Sequence, residues 1–312
     1  MASKIEWTDE TWNPIRARNL ETGRIGWHCE RVSPGCEHCY SETMNGWRGT
    51  GLPFKPGHRK DVELFLDEDV LTKPLRWRKS RTVFVCSMTD LFADFVTDEW
   101  IGRIWQVMVK SHRDRGHVFQ VLTKRPERIA KVLGPNGIGW YAKEGPVPHP
   151  EPGIWLGTSI EDRRRGEERC WYLAVAPAAV RFWSVEPLLA DLGDLLGLCL
   201  HDNDEHGKRC VDWVILGGES GPGARPMHPG WARGVRDQCT AAGVAFFFKQ
   251  WGAWAPGMIG GDWMLVDLYG DVDIPDHRGP DAGLGEVAMT RVGKKAAGRL
   301  LDGREWNEYP DG

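Results

Sequence analysis

No apolar run in the 312-residue chain approaches the roughly 18–20 residues a bilayer-spanning helix needs. The longest candidates, 211–216 and 244–248, have the length of strands. No basic tail is present, and Lys plus Arg (40) is outnumbered by Asp plus Glu (44). A nucleic-acid partner would therefore need a local patch rather than a global positive field. Residues 1–11 are polar and acidic, so no secretory signal is expected and the expected compartment is the reducing cytoplasm. Several chemistries lack their signatures: there is no Walker pattern, no Gly-x-Gly-x-x-Gly, no His-Glu-x-x-His, no Ser/His/Asp nucleophile motif and no paired-carboxylate spacing. Charged residues at 27% and hydrophobic ones at 41% exclude disorder and collagen-like structure. Tyrosine is scarce, at 5 against 17 Trp, with 38 Gly and 20 Pro. That mixture suggests long loops anchored by indoles over an apolar core.

Eight cysteines are present, and a reducing compartment disfavours disulfides among them. Five are scattered, and Cys86 and Cys239 lie in or beside apolar segments, where a cysteine is commonly a small buried hydrophobe. The other three cluster as Cys29-x6-Cys36-x2-Cys39, on a loop shaped by Pro34 and Gly35. Three thiolates so placed can converge on one metal centre. A structural zinc needs a fourth protein ligand. His28 and His38 each adjoin a cysteine and are poorly placed to supply it, although Cys86 could do so from a distance. An iron–sulfur cluster on three cysteines leaves one iron open for chemistry. Both readings stand at this point.

Six short apolar runs follow, at 81–86, 117–122, 154–157, 181–183, 211–216 and 244–248, and each leads into a polar tip. Helical patterns over 98–111, 127–133, 163–176 and 231–242 separate most of them. Continuous apolar strands alternating with helices predict a parallel α/β sheet, open or closed into a partial or full TIM-like barrel. Ligands bind at the carboxyl ends of strands in both arrangements. Cys29, Cys36, Cys39, Asp90, Lys124, Ser159, Glu186, Glu219 and Lys249 are therefore expected to face one mouth. The Arg163–Arg165 and Glu167–Glu168 run suits a solvated helix face with internal ion pairs. Residues 1–252 read as the barrel domain. Residues 253–312, rich in Gly, Asp and Trp, read as a small appended subdomain of irregular strands.

The segments Trp12-Asn-Pro14, Ser33-Pro-Gly-Cys-Glu-His-Cys-Tyr40, Ser184-Val-Glu-Pro-Leu-Leu189, Gly217-Gly-Glu-Ser-Gly221, Lys249-Gln-Trp-Gly252 and Gly293-Lys-Lys…Leu301-Asp-Gly303 resemble the phage and bacterial three-Cys-motif family. More distantly, the order of Cys loop, strand with Thr89-Asp90, strand with Thr123-Lys124 and strand with Ser159 resembles radical S-adenosylmethionine (SAM) enzymes of the spore photoproduct lyase-like branch. The first Cys gap is six residues where that superfamily has three, and the aromatic Tyr40 follows the third Cys rather than preceding it.

That resemblance implies a [4Fe–4S] cluster on Cys29, Cys36 and Cys39, with SAM on the open iron. It also implies reductive cleavage of SAM to a 5′-deoxyadenosyl radical. Ser87, Thr89, Asp90, Thr123, Lys124 and Ser159 would bind the cofactor. Asp90 would hold the SAM amino group or ribose, Lys124 the SAM carboxylate or a substrate phosphate, and Ser159 a ribose or carboxylate. Cys86 is the candidate quenching thiol. Glu186, a carboxylate in an apolar segment, needs a partner and is a site candidate, as is Glu219. The Gly217–Gly223 stretch, which follows a strand, could cradle phosphate with backbone N–H groups. The expected substrate is a nucleic-acid base or nucleotide, for repair or modification, with Lys124, Arg125 and Lys249 as cations and Trp side chains as stacking partners. A reductant protein and a separately encoded partner protein are the expected associates, and no membrane is. The alternative is a non-enzymatic, zinc-stapled module that binds nucleic acid or protein.

Overall fold

Apolar runs in this chain become strands buried on both faces, as parallel pairing requires. The computed structural model describes residues 5–133, 141–142, 145–146, 150–197, 210–257, 262–273 and 285–310. They divide into two units, Met1–Thr158 with Tyr172–Arg181, and Ser159–Trp171 with Phe182–Asp311.

In chain order the first unit begins with β1 (Glu10–Trp12), β2 (Ile15–Asn19), β3 (Ile25–Gly26), α1 (Tyr40–Arg48), β4 (Val62–Leu66) and β5 (Thr82–Val85). It continues with α2 (Asp98–Arg115), β6 (Val118–Thr123), α3 (Pro126–Leu133), the hairpin β7 (Tyr141–Ala142) and β8 (Gly145–Pro146), and β9 (Ile154–Ser159). Parallel pairing sets Trp12 beside Val85, Val85 beside Val121, and Thr123 beside Thr158. The residues after Trp12, Val85 and Thr123 therefore share one edge. α2 buries Ile101, Ile104, Trp105 and Met108 along one stripe, starts on the Thr97 cap and stops at Gly116, whose φ of 69° suits glycine. Between β1 and β5, an antiparallel sheet of order β3-β2-β4 stands apart from the parallel one. β2 buries Ile15, Ala17 and Asn19 and turns Arg16 and Arg18 outward. The sequence reading missed this sheet, although that period-two alternation was its signal.

The unit division crosses α4 (Arg163–Ala174) and the ends of β9 and β10 (Val180–Val185). The second unit then holds β11 (Trp213–Gly217), α5 (Pro229–Ala242), β12 (Ala245–Gln250) and a four-stranded sheet from the C-terminal region. That sheet comprises β13 (Trp254–Pro256), β14 (Trp263–Val266), β15 (Val272–Asp273) and β16 (Val287–Arg291), in the order β13-β16-β14-β15. Val185, Leu216 and Phe248 lie side by side. The tail covers the free edge of β12: Phe248 N donates to Trp306 O (3.0 Å) and Glu308 N to Phe246 O (3.2 Å). An unprotected edge strand invites pairing with other chains, and this contact removes that option.

The parallel strands follow the sequential order β1-β5-β6-β9-β10-β11-β12. The α/β expectation holds in the form of a partial barrel, with β1 and β12 ending the order. All six anticipated apolar runs are strands, each shifted by a few residues at most. On α4, Arg163 pairs with Glu167 (2.7 Å) and Arg164 with Glu168 (2.8 Å), as the charge pattern implied. No helix among the described residues is long and apolar enough to cross a membrane. Most of the long segment 134–153 lies outside the described residues. Among the described residues six cysteines are free thiols and Cys210 is disulfide-bonded, although disulfides were expected to be disfavoured.

Candidate functional sites at the strand ends

The Cys loop is tied to the strand ends of the first unit. Thr89 Oγ1 donates to His28 O (2.6 Å), Arg125 Nη2 to Glu30 O (3.4 Å) and Tyr40 OH to Ser87 O (2.9 Å). Ser87 in turn shares its hydroxyl with the Asn13 side chain, whose Oδ1 also accepts from Met88 N (2.9 Å). The tips of β1 and β5 and the loop carrying Cys29, Cys36 and Cys39 thus form one bonded assembly. Cys36 is buried; Cys29 and Cys39 are half-buried. Cys39 Sγ lies 2.9 Å from Ser41 Oγ, and Cys36 Sγ 3.8 Å from Ser33 Oγ.

Asp90 is the hub of this assembly. Its carboxylate accepts from Phe92 N (2.9 Å), Thr123 Oγ1 (2.7 Å), Lys124 N (3.0 Å) and Arg125 Nη1 (3.1 Å). Asp90 and Arg125 are both buried, so each supplies the countercharge the other needs. With both oxygens engaged, Asp90 fixes the β5 and β6 tips relative to each other. Burial first, then the Asp90 charge, push the Cys29 thiol well above the usual range, with Arg125 acting in the opposite sense. Burial and Asp90 raise the Cys86 thiol likewise. Cys86 sits at the end of β5 with φ of 55°, a region that a side chain bearing Cβ enters only under constraint.

No group of three or more His, Cys, Asp or Glu among the described residues is arranged to hold a metal ion. Zinc–thiolate bonds of about 2.3 Å draw tetrahedral ligands tightly together. The His28 ring packs against Phe95 at 5.1 Å and has Nε2 3.6 Å from Glu30. Cys29, Cys36 and Cys39 thus share one loop, but among the described residues their thiols are not gathered into a metal-holding group.

The second unit has its own strand-end cluster. Glu186, just past β10, pairs with Lys249 Nζ at 2.8 Å and accepts from Ser184 Oγ at 3.3 Å. Its partner requirement, read from the sequence, is met by that lysine. Glu219 is clamped by Arg225: Oε2 accepts from the backbone N and Nε (2.9 Å each) and Oε1 from Nη2 (2.6 Å). The clamp folds the Gly217–Gly223 stretch onto itself. A Cβ on Gly218 would lie 2.0 Å from Trp251 O, and one on Gly252 would lie 2.1 Å from Glu219 O. Close approach of two backbones accounts for these glycines without a phosphate. Ser159 is buried, and its carbonyl accepts from Arg169, which also pairs with Glu161 at 2.9 Å.

In the first unit Asp90 joins Thr123 and the Lys124 backbone, and the loop carrying Cys29, Cys36 and Cys39 is bonded to Thr89, Ser87 and Arg125, without a metal-holding group of its thiols among the described residues. Glu186 and Lys249 meet in the second unit, and Glu219 and Ser159 are held by arginines there. The reading of the sequence missed Asn13, Tyr40 and Arg225 as positioning residues and treated Arg125 as a free cation. The position of Asn13 directly after an apolar β1 was the available signal.

Residues 2–310 match the family described as "Protein of unknown function (DUF5131)", and the chain belongs to that family. No curated protein and no solved structure matches the chain.

Proposed function

We propose that this DUF5131 chain is an iron–sulfur enzyme that cleaves SAM reductively and acts on a nucleic-acid base or nucleotide. The observation that carries the reading is the attachment of a three-thiol loop to the carboxyl ends of parallel strands through Thr89, Arg125 and Tyr40. Cys29, Cys36 and Cys39 would hold the cluster. When bound, it would pass one electron from a reductant protein to the SAM sulfonium, giving methionine and a 5′-deoxyadenosyl radical.

The chain's own residues have definable tasks. Asp90, Thr123 and Arg125 hold the two strand ends rigid beneath the Cys loop. Ser87 and Thr89, bonded to Asn13 and His28, orient the backbone there. Cys86 keeps its proton and stands ready as a hydrogen donor. Metal uptake by thiols would release their protons.

Incubation of reduced, iron-loaded protein with SAM tests the reading. Chromatography should find 5′-deoxyadenosine and methionine in equal amounts, both absent from the Cys36→Ala variant. Intact SAM after many hours with loaded protein would refute it.

A further inference from the structure

Two of the three basic strand-end residues assigned to a nucleic acid are already neutralised, Arg125 by Asp90 and Lys249 by Glu186. A polyanion would need other cations. Residues 43–60 contain no Asp or Glu but carry Arg48, Lys55, Arg59 and Lys60 in a chain of net charge −4. None of these four forms an ion pair among the described residues, and Arg48, Lys55 and Lys60 are exposed. Arg24 joins them without a carboxylate partner, donating Nη2 to Trp47 O at 3.0 Å.

The same segment carries unusual aromatics. Trp7, Trp12, Trp105, Trp183, Trp213 and Trp231 are fully buried, and Trp251 and Trp254 are buried with indole N–H groups donating to loop carbonyls. Trp47, by contrast, is 82% exposed. On α1 it lies on one face with Tyr40 and Met44, which are 50% and 42% exposed. This stripe extends about 10 Å along the helix. It begins at Tyr40, directly after Cys39, and the Tyr40 hydroxyl pins the ring to Ser87 O. Two exposed rings on one helix face, with Arg24 bonded to Trp47 O and Arg48 following Trp47 in the chain, have the chemistry of a single-strand platform, because unpaired bases can stack on them while a duplex hides their faces.

We propose that the exposed face of α1, with Arg24, Arg48, Lys55 and Lys60, binds single-stranded nucleic acid and leads it to the Cys loop. The inference rests on the nucleic-acid substrate of the preceding reading, but binding can be measured without any cluster. The test is fluorescence anisotropy of the full chain with a labelled oligothymidylate of about 20 nucleotides. Affinity should fall with salt at a log–log slope of about −0.7 per neutralised phosphate. Lys55→Gln/Lys60→Gln should reduce that slope by about 1.4. Trp47→Ala, at a surface position that folding does not need, should weaken binding roughly ten-fold, the loss of one stacked base. Cys36→Ala should bind like the parent. Binding by Cys36→Ala with no SAM cleavage by the parent would therefore leave this surface standing and remove only the enzyme reading. No binding at about 50 mM salt, or binding indifferent to both surface variants, would overturn the proposal. So would a Trp47-dependent dimer in sedimentation that the oligonucleotide does not compete with, which would make the stripe a protein interface.

Discussion

The two units end their strands differently. In the first, the strand ends gather free thiols around a buried Asp90–Arg125 pair whose oxygens are fully occupied. In the second, they carry no cysteine, and their charges meet in a more accessible pair, Glu186–Lys249, and an arginine clamp on Glu219. Soft donors over a rigid hub suit redox metal chemistry. A half-buried carboxylate–ammonium pair suits holding a polar ligand or stabilising a loop. The cysteines of the proposed cluster lie in the first unit, while the second unit's strand ends carry only the paired charges described above.

Four changes would sharpen or break that contrast. The largest effect is expected from Cys36→Ala: iron content after anaerobic reconstitution should drop from about four per chain to near zero, while far-UV circular dichroism stays unchanged. A strongly destabilised variant would instead favour structural zinc. Next, Asp90→Ala leaves Arg125 buried without a countercharge and should cost about 3–5 kcal/mol in urea denaturation. Gly218→Ala, which forces a Cβ against Trp251 O, should cost about 1–3 kcal/mol. Lys249→Met, at a partly exposed pair, should cost about 1 kcal/mol or less. A Lys249 effect larger than that of Asp90 would reverse the assignment of the rigid hub.

A finer comparison uses one histidine from each unit. Burial, as the leading cause, holds both His117 and His228 below the usual histidine range. Their stabilising contribution is present above the unfolded value of about 6.5. It is lost as the pH falls from there through their lower folded values, because the unfolded chain takes up the proton first. Melting temperatures measured between pH 7 and 5 should decline, and His228→Asn, which retains a capping side chain for α5, should make the decline shallower. An unchanged slope would show that His228 is not buried in its neutral form.

The parallel strands were legible in the sequence because residues such as Val214, Ile215 and Leu216 are apolar on both faces. β2 was not, since Arg16 and Arg18 made a half-buried strand look polar overall. The clustering of Cys29, Cys36 and Cys39 on one loop was visible in the sequence, but the structure does not draw their thiols into a metal-holding group among the described residues. The role of Asp90 was not: its partner Arg125 lies 35 residues away, brought close by the pairing of β5 with β6. Glu219 had a partner only six residues on, yet the surrounding glycines suggested phosphate. Their real constraint is the approach of Trp251 and Gly252, which no local pattern announces.

The most direct test of the central claim is the iron and acid-labile sulfide content of anaerobically reconstituted protein, with electron paramagnetic resonance before and after adding SAM. The account predicts about four irons and matching sulfide per chain, and a reduced-cluster signal that changes shape when SAM is added. Tightly bound zinc with no iron uptake, or a cluster signal indifferent to SAM, would contradict it.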